Sequence, residues 1–308
     1  MSFQISLANV LITLFYILPG FLIGKMKKTS TAHLPTISSV LVYICMPCLV
    51  ISSLLSLEYS FESMKYMGLF FFLTLVIQAA FMLLIFAAIR KRSHEPKFRL
   101  MTVGMVLGNV GFFGLPIATA LLPQNPEAAS YSAVYSVSMN ILLFTVGVFC
   151  VTGKKEYVSL KPAIFNPTML GFAIGFPLYL LGAAKVLPPI LVSGVSALGH
   201  MSTPLCMVIL GIRLSAVCLP KLFARPSVYV ICFGKLVLFP LFAFLAVTFL
   251  PLPYAFKASI LILSATPCAS VVFNIAEMHN CDAELSANCV LLSTLLCFLT
   301  IPPLLLLL

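Results

Sequence analysis

Two stretches of this chain carry residue types suited to holding a small charged molecule, and both lie inside long apolar runs. The first is Gly108-Asn-Val-Gly-Phe-Phe-Gly-Leu-Pro116. Gly108, Gly111 and Gly114 weaken a helix through their backbone freedom, and Pro116 lacks an amide donor, so a helix through this stretch is expected to break near its middle. The second is Ser264-Ala-Thr-Pro-Cys-Ala-Ser270, followed by Asn274, which repeats the combination of proline, hydroxyls and an amide. A helix broken inside lipid exposes backbone groups that protein, water or a ligand must satisfy. The N-termini of its halves offer donors and partial positive charge to an anion. Asn109, Gly111, Gly114, Pro116, Thr266, Pro267, Ser270 and Asn274 are therefore expected to bind substrate. The competing reading is that Gly104, Gly108 and Gly111 only permit close helix packing, as Gly171 and Gly175 would in another run, with Pro116 a simple kink.

Other polar residues stand alone in apolar surroundings. Lys235 lies roughly 15 Å along a helix from Arg225, too deep for an idle charge. It would attract an anionic substrate, stand in for a coupling cation, or snorkel to the headgroups; we place it with the binding residues. His200 is a candidate for proton coupling near neutral pH, against the plainer reading of a satisfied interhelical histidine. Asn140 and Gln78 are candidates for interhelical hydrogen bonds, and Asn140 is placed with the binding residues. Cys45-Met-Pro-Cys48 has the spacing of a redox pair, but within an apolar run it reads as small residues around a kink. Pro47 and Pro204 are the expected helix-break positions. Phosphate-binding loops, metal-spaced His/Cys sets and a nucleophile elbow are all absent from the sequence, so neither ATP hydrolysis nor hydrolase chemistry has residues to perform it. We expect no enzyme activity, no cofactor and no metal.

The elements that position these residues follow from composition. Of 308 residues, 61% are hydrophobic and 8% charged, with a mean hydropathy of +1.14, where an ordinary globular domain is about 45–50% apolar and about 25% charged. So few charges cannot make a soluble surface. The net charge of +10 does not point to nucleic acid, because the basic residues sit in short clusters between apolar runs rather than on a folded polar face. The ten cysteines lie mostly within apolar runs, where Cys acts as a small hydrophobe. No cationic leader or cleavage site precedes the first run, which is expected to be a retained first helix.

Apolar runs bounded by charge, Pro or Gly predict spans near 5–24, 35–56, 64–89, 99–122, 128–152, 166–184, 188–212, 227–250, 255–276 and 283–307. They are continuously apolar over twice the length of a barrel strand, so a closed barrel is excluded. With the N-terminus outside, fourteen of the eighteen Lys and Arg fall in inside loops, Lys65, Lys185 and Lys257 fall outside, and Lys235 lies within a span. This is the bias expected for loops facing the cytoplasm, and it sets both termini outside. One inside turn dissents with Glu277, Asp282 and Glu284, though acidic residues weigh little in that rule. A weak internal repeat pairs Pro47 with Pro204 at an offset of 157 positions, and Glu127-Ala-Ala-Ser with Asp282-Ala-Glu-Leu-Ser at 155. Five spans per half, an odd number, would invert the second half relative to the first. The expected divisions are 1–152 for the first repeat, 153–165 for a cytosolic linker and 166–308 for the second.

The run Asn109-Val-Gly-Phe-Phe-Gly-Leu-Pro116, the Asn166-Pro-Thr start of span 6, Thr203-Pro-Leu-Cys-Met-Val-Ile-Leu-Gly211, Ala265-Thr-Pro and Ser286-Ala-Asn-Cys-Val-Leu-Leu-Ser-Thr294 together resemble the auxin efflux carrier family of permeases. The resemblance covers nearly the whole chain. It implies an all-α polytopic membrane protein with ten transmembrane helices in two inverted five-helix repeats. Spans 4 and 9 would be broken and crossing, spans 1, 2, 6 and 7 would form a scaffold, and the motion would be elevator-type. It also implies a secondary active transporter of small organic anions in the cytoplasmic membrane: bacterial members carry malate, malonate and related carboxylates, and plant members carry indole-3-acetate. The long cytosolic loop of plant members is absent. Implied partners are an organic anion and the lipid bilayer, with a coupling proton or sodium ion and a homodimer left open, and no nucleic acid. The alternatives from other classes are a gated channel or sensor on a transporter-like fold, and a membrane-embedded enzyme, which lacks any reactive constellation.

Overall fold

Continuous apolar runs in lipid must satisfy their own backbone groups, and the helix does so within one segment. The computed structural model describes residues 15–57, 59–92, 94–159, 161, 165, 167–216, 225–278 and 281–308. Among them the regular elements are all helical, apart from an isolated antiparallel bridge between Gly108 and Cys268. In chain order they are α1 (Ile17–Lys25), α2 (Thr31–Leu55), α3 (Phe61–Ile89), α4 (Pro96–Gly104), α5 (Leu115–Leu121), α6 (Glu127–Thr152), α7 (Pro167–Leu180), α8 (Pro189–His200), α9 (Ser202–Ala216), α10 (Pro226–Thr248), α11 (Tyr254–Ser264), α12 (Ser270–Met278) and α13 (Ala283–Leu304). Among the described residues, six helical stretches are able by length and composition to cross a membrane: α2, α3 with the Arg90–Arg92 turn, α6, α8 together with α9, α10, and α13. α7 and α11 are apolar but shorter.

Large apolar side chains point outward along these helices. On α3, Phe72, Val76 and Leu83 are each 60% or more exposed, whereas a soluble surface scatters such residues singly. The chain is thus a multi-pass membrane protein by its surface as well as its composition.

The chain divides into two compact units. One comprises residues 1–68, 111–133 and 165–218. Here α2 is gripped by α7 and α8 at points where only glycine fits: a Cβ on Gly171 would lie 2.7 Å from Pro47 Cα, and one on Gly199 would lie 2.8 Å from Leu49 Cα. Close approach of backbones replaces hydrophobic driving force, which lipid does not provide. Pro47 therefore does not break α2 as its residue type implied. It sits in the first turn after a π-helical turn, Leu41–Cys45, and the backbone stays helical through Cys45 and Met46. The widened turn accommodates the proline ring that would otherwise meet the carbonyl four residues back. Pro204 likewise stands in the first turn of α9, where no intrahelical amide bond is lost; the interruption in this run is the turn at Met201.

The second unit comprises residues 69–110, 134–164 and 219–308. Its centre is α11, buried from Ala258 through Ser264 without a break, as a helix apolar on every face must be. Gln78 of α3 donates to Ser138 Oγ of α6 at 3.1 Å and to Thr74 O at 3.0 Å, the interhelical link expected of it. The acidic turn that dissented from the charge rule is neutralised locally. Arg225 bonds Asp282 at 2.8 Å and Glu284 at 2.9 Å, tying the start of α10 to the start of α13.

Candidate functional site

Helix α4 ends at Gly104, residues 105–109 leave the helical path, and a π-helical turn, Val110–Gly114, leads into α5. The second interruption lies between the end of α11 at Ser264 and the start of α12 at Ser270. These two gaps meet within the second unit. Gly108 pairs with Cys268, Asn109 N donates to Pro267 O at 2.7 Å, and Ala269 N donates to Leu107 O at 3.1 Å. Backbone groups freed by one break are thus satisfied by the other, which is how irregular chain survives at membrane depth. Cys268 N adds a bond to Ser293 Oγ of α13 at 2.9 Å, and Cys268 Sγ donates to Gly104 O at 3.3 Å.

Gly108 is required by this approach. A Cβ there would overlap Thr266 Oγ1 and lie 3.1 Å from Lys235 Nζ. Thr266 is fully buried, and its hydroxyl donates to Leu263 O at 2.7 Å, closing the last turn of α11 where carbonyls lack intrahelical partners.

Lys235 is fully buried too. It sits in a π-helical turn of α10, Gly234–Leu238, and its ammonium donates to Ser264 O at the C-terminal end of α11. A cation there complements the negative end of the helix dipole, and Lys235 Nζ also lies over the Phe239 ring, 4.9 Å from the centroid. Snorkelling to the headgroups is ruled out by this geometry. Lys235 makes no ion pair with an acid among the described residues, so a positive charge held here has only a carbonyl and an aromatic ring beside it. Such a charge is costly unless something pairs with it.

Other predicted residues fall at different distances from this point. The Asn109 side chain is half-buried, with its amide uncommitted among the described residues, and Ser270 is half-buried at the first position of α12. Asn274 lies on α12 and Pro116 on α5; both side chains fall outside the described residues. Gly111 is less crowded, since among the described residues a Cβ there would touch only Met46 Cε at 3.9 Å. Gly114 is buried where the π-turn meets α5. Asn140 is half-buried on α6, with no bond to the crossing among the described residues. His200 ends α8 on an exposed face, its Nδ1 2.7 Å from Ser196 O and 3.1 Å from Ser196 Oγ. It bonds within its own helix and bridges no other among the described residues.

Reading the sequence missed Ser293, Cys268 and Asn288. Asn288 Nδ2 is buried with no partner among the described residues, on the same helix as Ser293. Its signal was an amide in an apolar run, the criterion that selected Asn109.

The family model described as "Membrane transport protein" matches residues 5–162 and 157–305. An uncharacterized transporter of Methanocaldococcus jannaschii is 25% identical over 305 residues, covering 97% of each chain. An uncharacterized transporter of Methanothermobacter thermautotrophicus is 23% identical over 312 residues, covering 98% of each. With the family model spanning nearly the whole length, this multi-pass helical chain belongs to the membrane transport protein family.

Proposed function

We propose that this transporter is a secondary carrier of small organic anions, carboxylates of the malate or malonate type, bound at the crossing of the interrupted helices. The observation that carries the reading is Lys235: a fully buried ammonium without an acidic partner among the described residues, directly beside Gly108 and Thr266. An anion arriving at the crossing supplies the missing charge. Asn109 and Ser270 donate hydrogen bonds to it, the amides at the start of α12 add partial positive charge, and Lys235 biases the local potential.

In this reading the helices form ten spans in two inverted halves, 1–152 and 166–308, joined by the 153–165 linker, with both termini outside the cytoplasmic membrane. The two compact units support an elevator-type cycle in which the unit that holds the crossing carries the anion. The predicted spans contain no Asp or Glu other than Glu284 at the border of the last, so a coupling proton enters with the substrate rather than through a carboxylate relay.

Counterflow of labelled malate in proteoliposomes tests the proposal, because only a carrier exchanges labelled for unlabelled substrate without a net gradient. Asn109→Ala and Ser270→Ala are each expected to reduce counterflow at least about tenfold, the effect of losing one bond to a charged group, with membrane insertion intact. Wild-type exchange in both variants would remove the crossing from the transport path.

A further inference from the structure

The second unit contains a recess unrelated to the crossing. It is a cavity of about 250 Å³ among the ends of α3, α4 and α6, lined by Met82, Leu83, Phe86, Thr102, Val146 and Phe149 with almost no polar surface. Met82 and Thr102 form a buried floor, while Leu83, Phe86, Val146 and Phe149 are 40% or more exposed at its rim. The hydroxyl of Thr102 is turned to its own helix, donating to Phe98 O at 3.3 Å. A polar solute would find almost nothing to bond here, whereas an alkyl chain entering from the side would be covered by apolar side chains.

All three helices run from this recess toward one basic end. Phe86 is followed a turn later by Arg90 and Lys91, Thr102 is preceded by Arg99, and Phe149 is followed by Lys154 and Lys155. The termini are held together there: Gly153 ends α6 at φ 72°, and the Arg99 guanidinium occupies the space where a Cβ on Gly153 would stand. Arg99 Nε is buried with no hydrogen-bond partner among the described residues. Of the acids nearby, Glu95 and Glu156 pair with Lys97 at 2.8 Å and Lys154 at 3.5 Å, and Asp282, next to the Cys281 whose thiol donates to Val151 O of α6, is paired with Arg225. The end stays net positive.

We propose that this recess is a binding site for an anionic phospholipid, one acyl chain lying in the groove and the phosphate meeting Arg99 and its basic neighbours. The occupant follows from the pairing of an apolar, laterally open groove with a basic cluster at its membrane-surface end, the arrangement that selects acidic headgroups. The site stands apart from the crossing, so its test is independent of the substrate reading.

The chain contains no tryptophan, which permits a clean optical test. Phe86→Trp places one fluorophore in the groove. Leu84→Trp, on the same helix at a position 54% exposed and outside the groove, is the control. Each is reconstituted in phosphatidylcholine vesicles containing a minor fraction of dibrominated phosphatidylglycerol or dibrominated phosphatidylcholine. The groove tryptophan is expected to be quenched with about fivefold higher apparent affinity by the anionic lipid, the effect of about one basic contact, and the control equally by both. The preference should vanish when Arg99→Gln is added, or when Lys91→Gln and Lys154→Gln are added together, the latter pair deciding the matter if Arg99→Gln does not fold. Equal quenching of the groove tryptophan by the two lipids, or a preference that survives charge removal, overturns the proposal.

Discussion

Gly108 and Gly111 stand three positions apart in one glycine-rich run, yet they face different surroundings. A methyl group on Gly108 would collide with the Thr266 hydroxyl beside the Lys235 ammonium, while one on Gly111 would make ordinary contact with Met46 alone. Gly108→Ala is therefore expected to destabilise the purified protein by about 1–3 kcal/mol, the usual cost of overpacking. Gly111→Ala should leave the thermal midpoint in detergent near that of the wild type; equal midpoints for both variants would mean that the two interrupted segments do not approach as described. The sequence revealed that these glycines weaken a helix, because that is a property of the residue. It could not separate their roles, since the Thr266 and Lys235 atoms that make Gly108 indispensable come from positions far along the chain. Lys235 shows the same limit: its depth was legible from its distance to Arg225, but its bond to Ser264 O depends on where α11 ends.

At three points a proline stands just after a widened turn, although the π-helical turn Leu143–Gly147 has no proline after it and Pro177, Pro302 and Pro303 lie within regular α-helix. Three π-helical turns, Leu41–Cys45, Val110–Gly114 and Gly234–Leu238, each end one residue before an X-Pro pair completed by Pro47, Pro116 and Pro240. In each case the carbonyl four residues before the proline falls inside the widened turn, which relieves the clash that the ring would cause. This corrects the expectation of a break at Pro47 and explains how Lys235 is aimed, since it sits inside the turn before Pro240. Replacing Pro240 by Ala removes the reason for that turn. Reverting to regular α geometry would rotate Lys235 by about 100°, one residue's worth of helix, away from Ser264. Pro240→Ala is expected to insert and fold, because alanine favours helix, but to lose most malate counterflow. Full counterflow in this variant would separate the π-turn from the function. Breaks in α4/α5 and α11/α12 were legible because glycine, proline and hydroxyls cluster there. The pairing of the two gaps was not, because strand-like bridging over some 160 residues leaves no periodic trace.

At the scale of the molecule, composition alone established a helical membrane protein, and the outward-facing Phe72, Val76 and Leu83 together with the family match bear that out. The division into two units was harder to see in the chain, because each is assembled from three separate segments joined by packing at glycines such as Gly171 and Gly199. The central claim is that the crossing in one of these units holds a small organic anion. The most direct measurement is the thermal midpoint of the purified protein titrated with malate, malonate and related carboxylates. A ligand at about one hundred times its dissociation constant stabilises the state it binds by about 2.7 kcal/mol. At least one carboxylate should raise the wild-type midpoint by several degrees. Asn109→Ala, which removes a side chain uncommitted among the described residues, should melt like the wild type without ligand and gain little from it. Undiminished stabilisation of Asn109→Ala, or of a variant that lacks Lys235, would contradict the assignment of the crossing as the anion site.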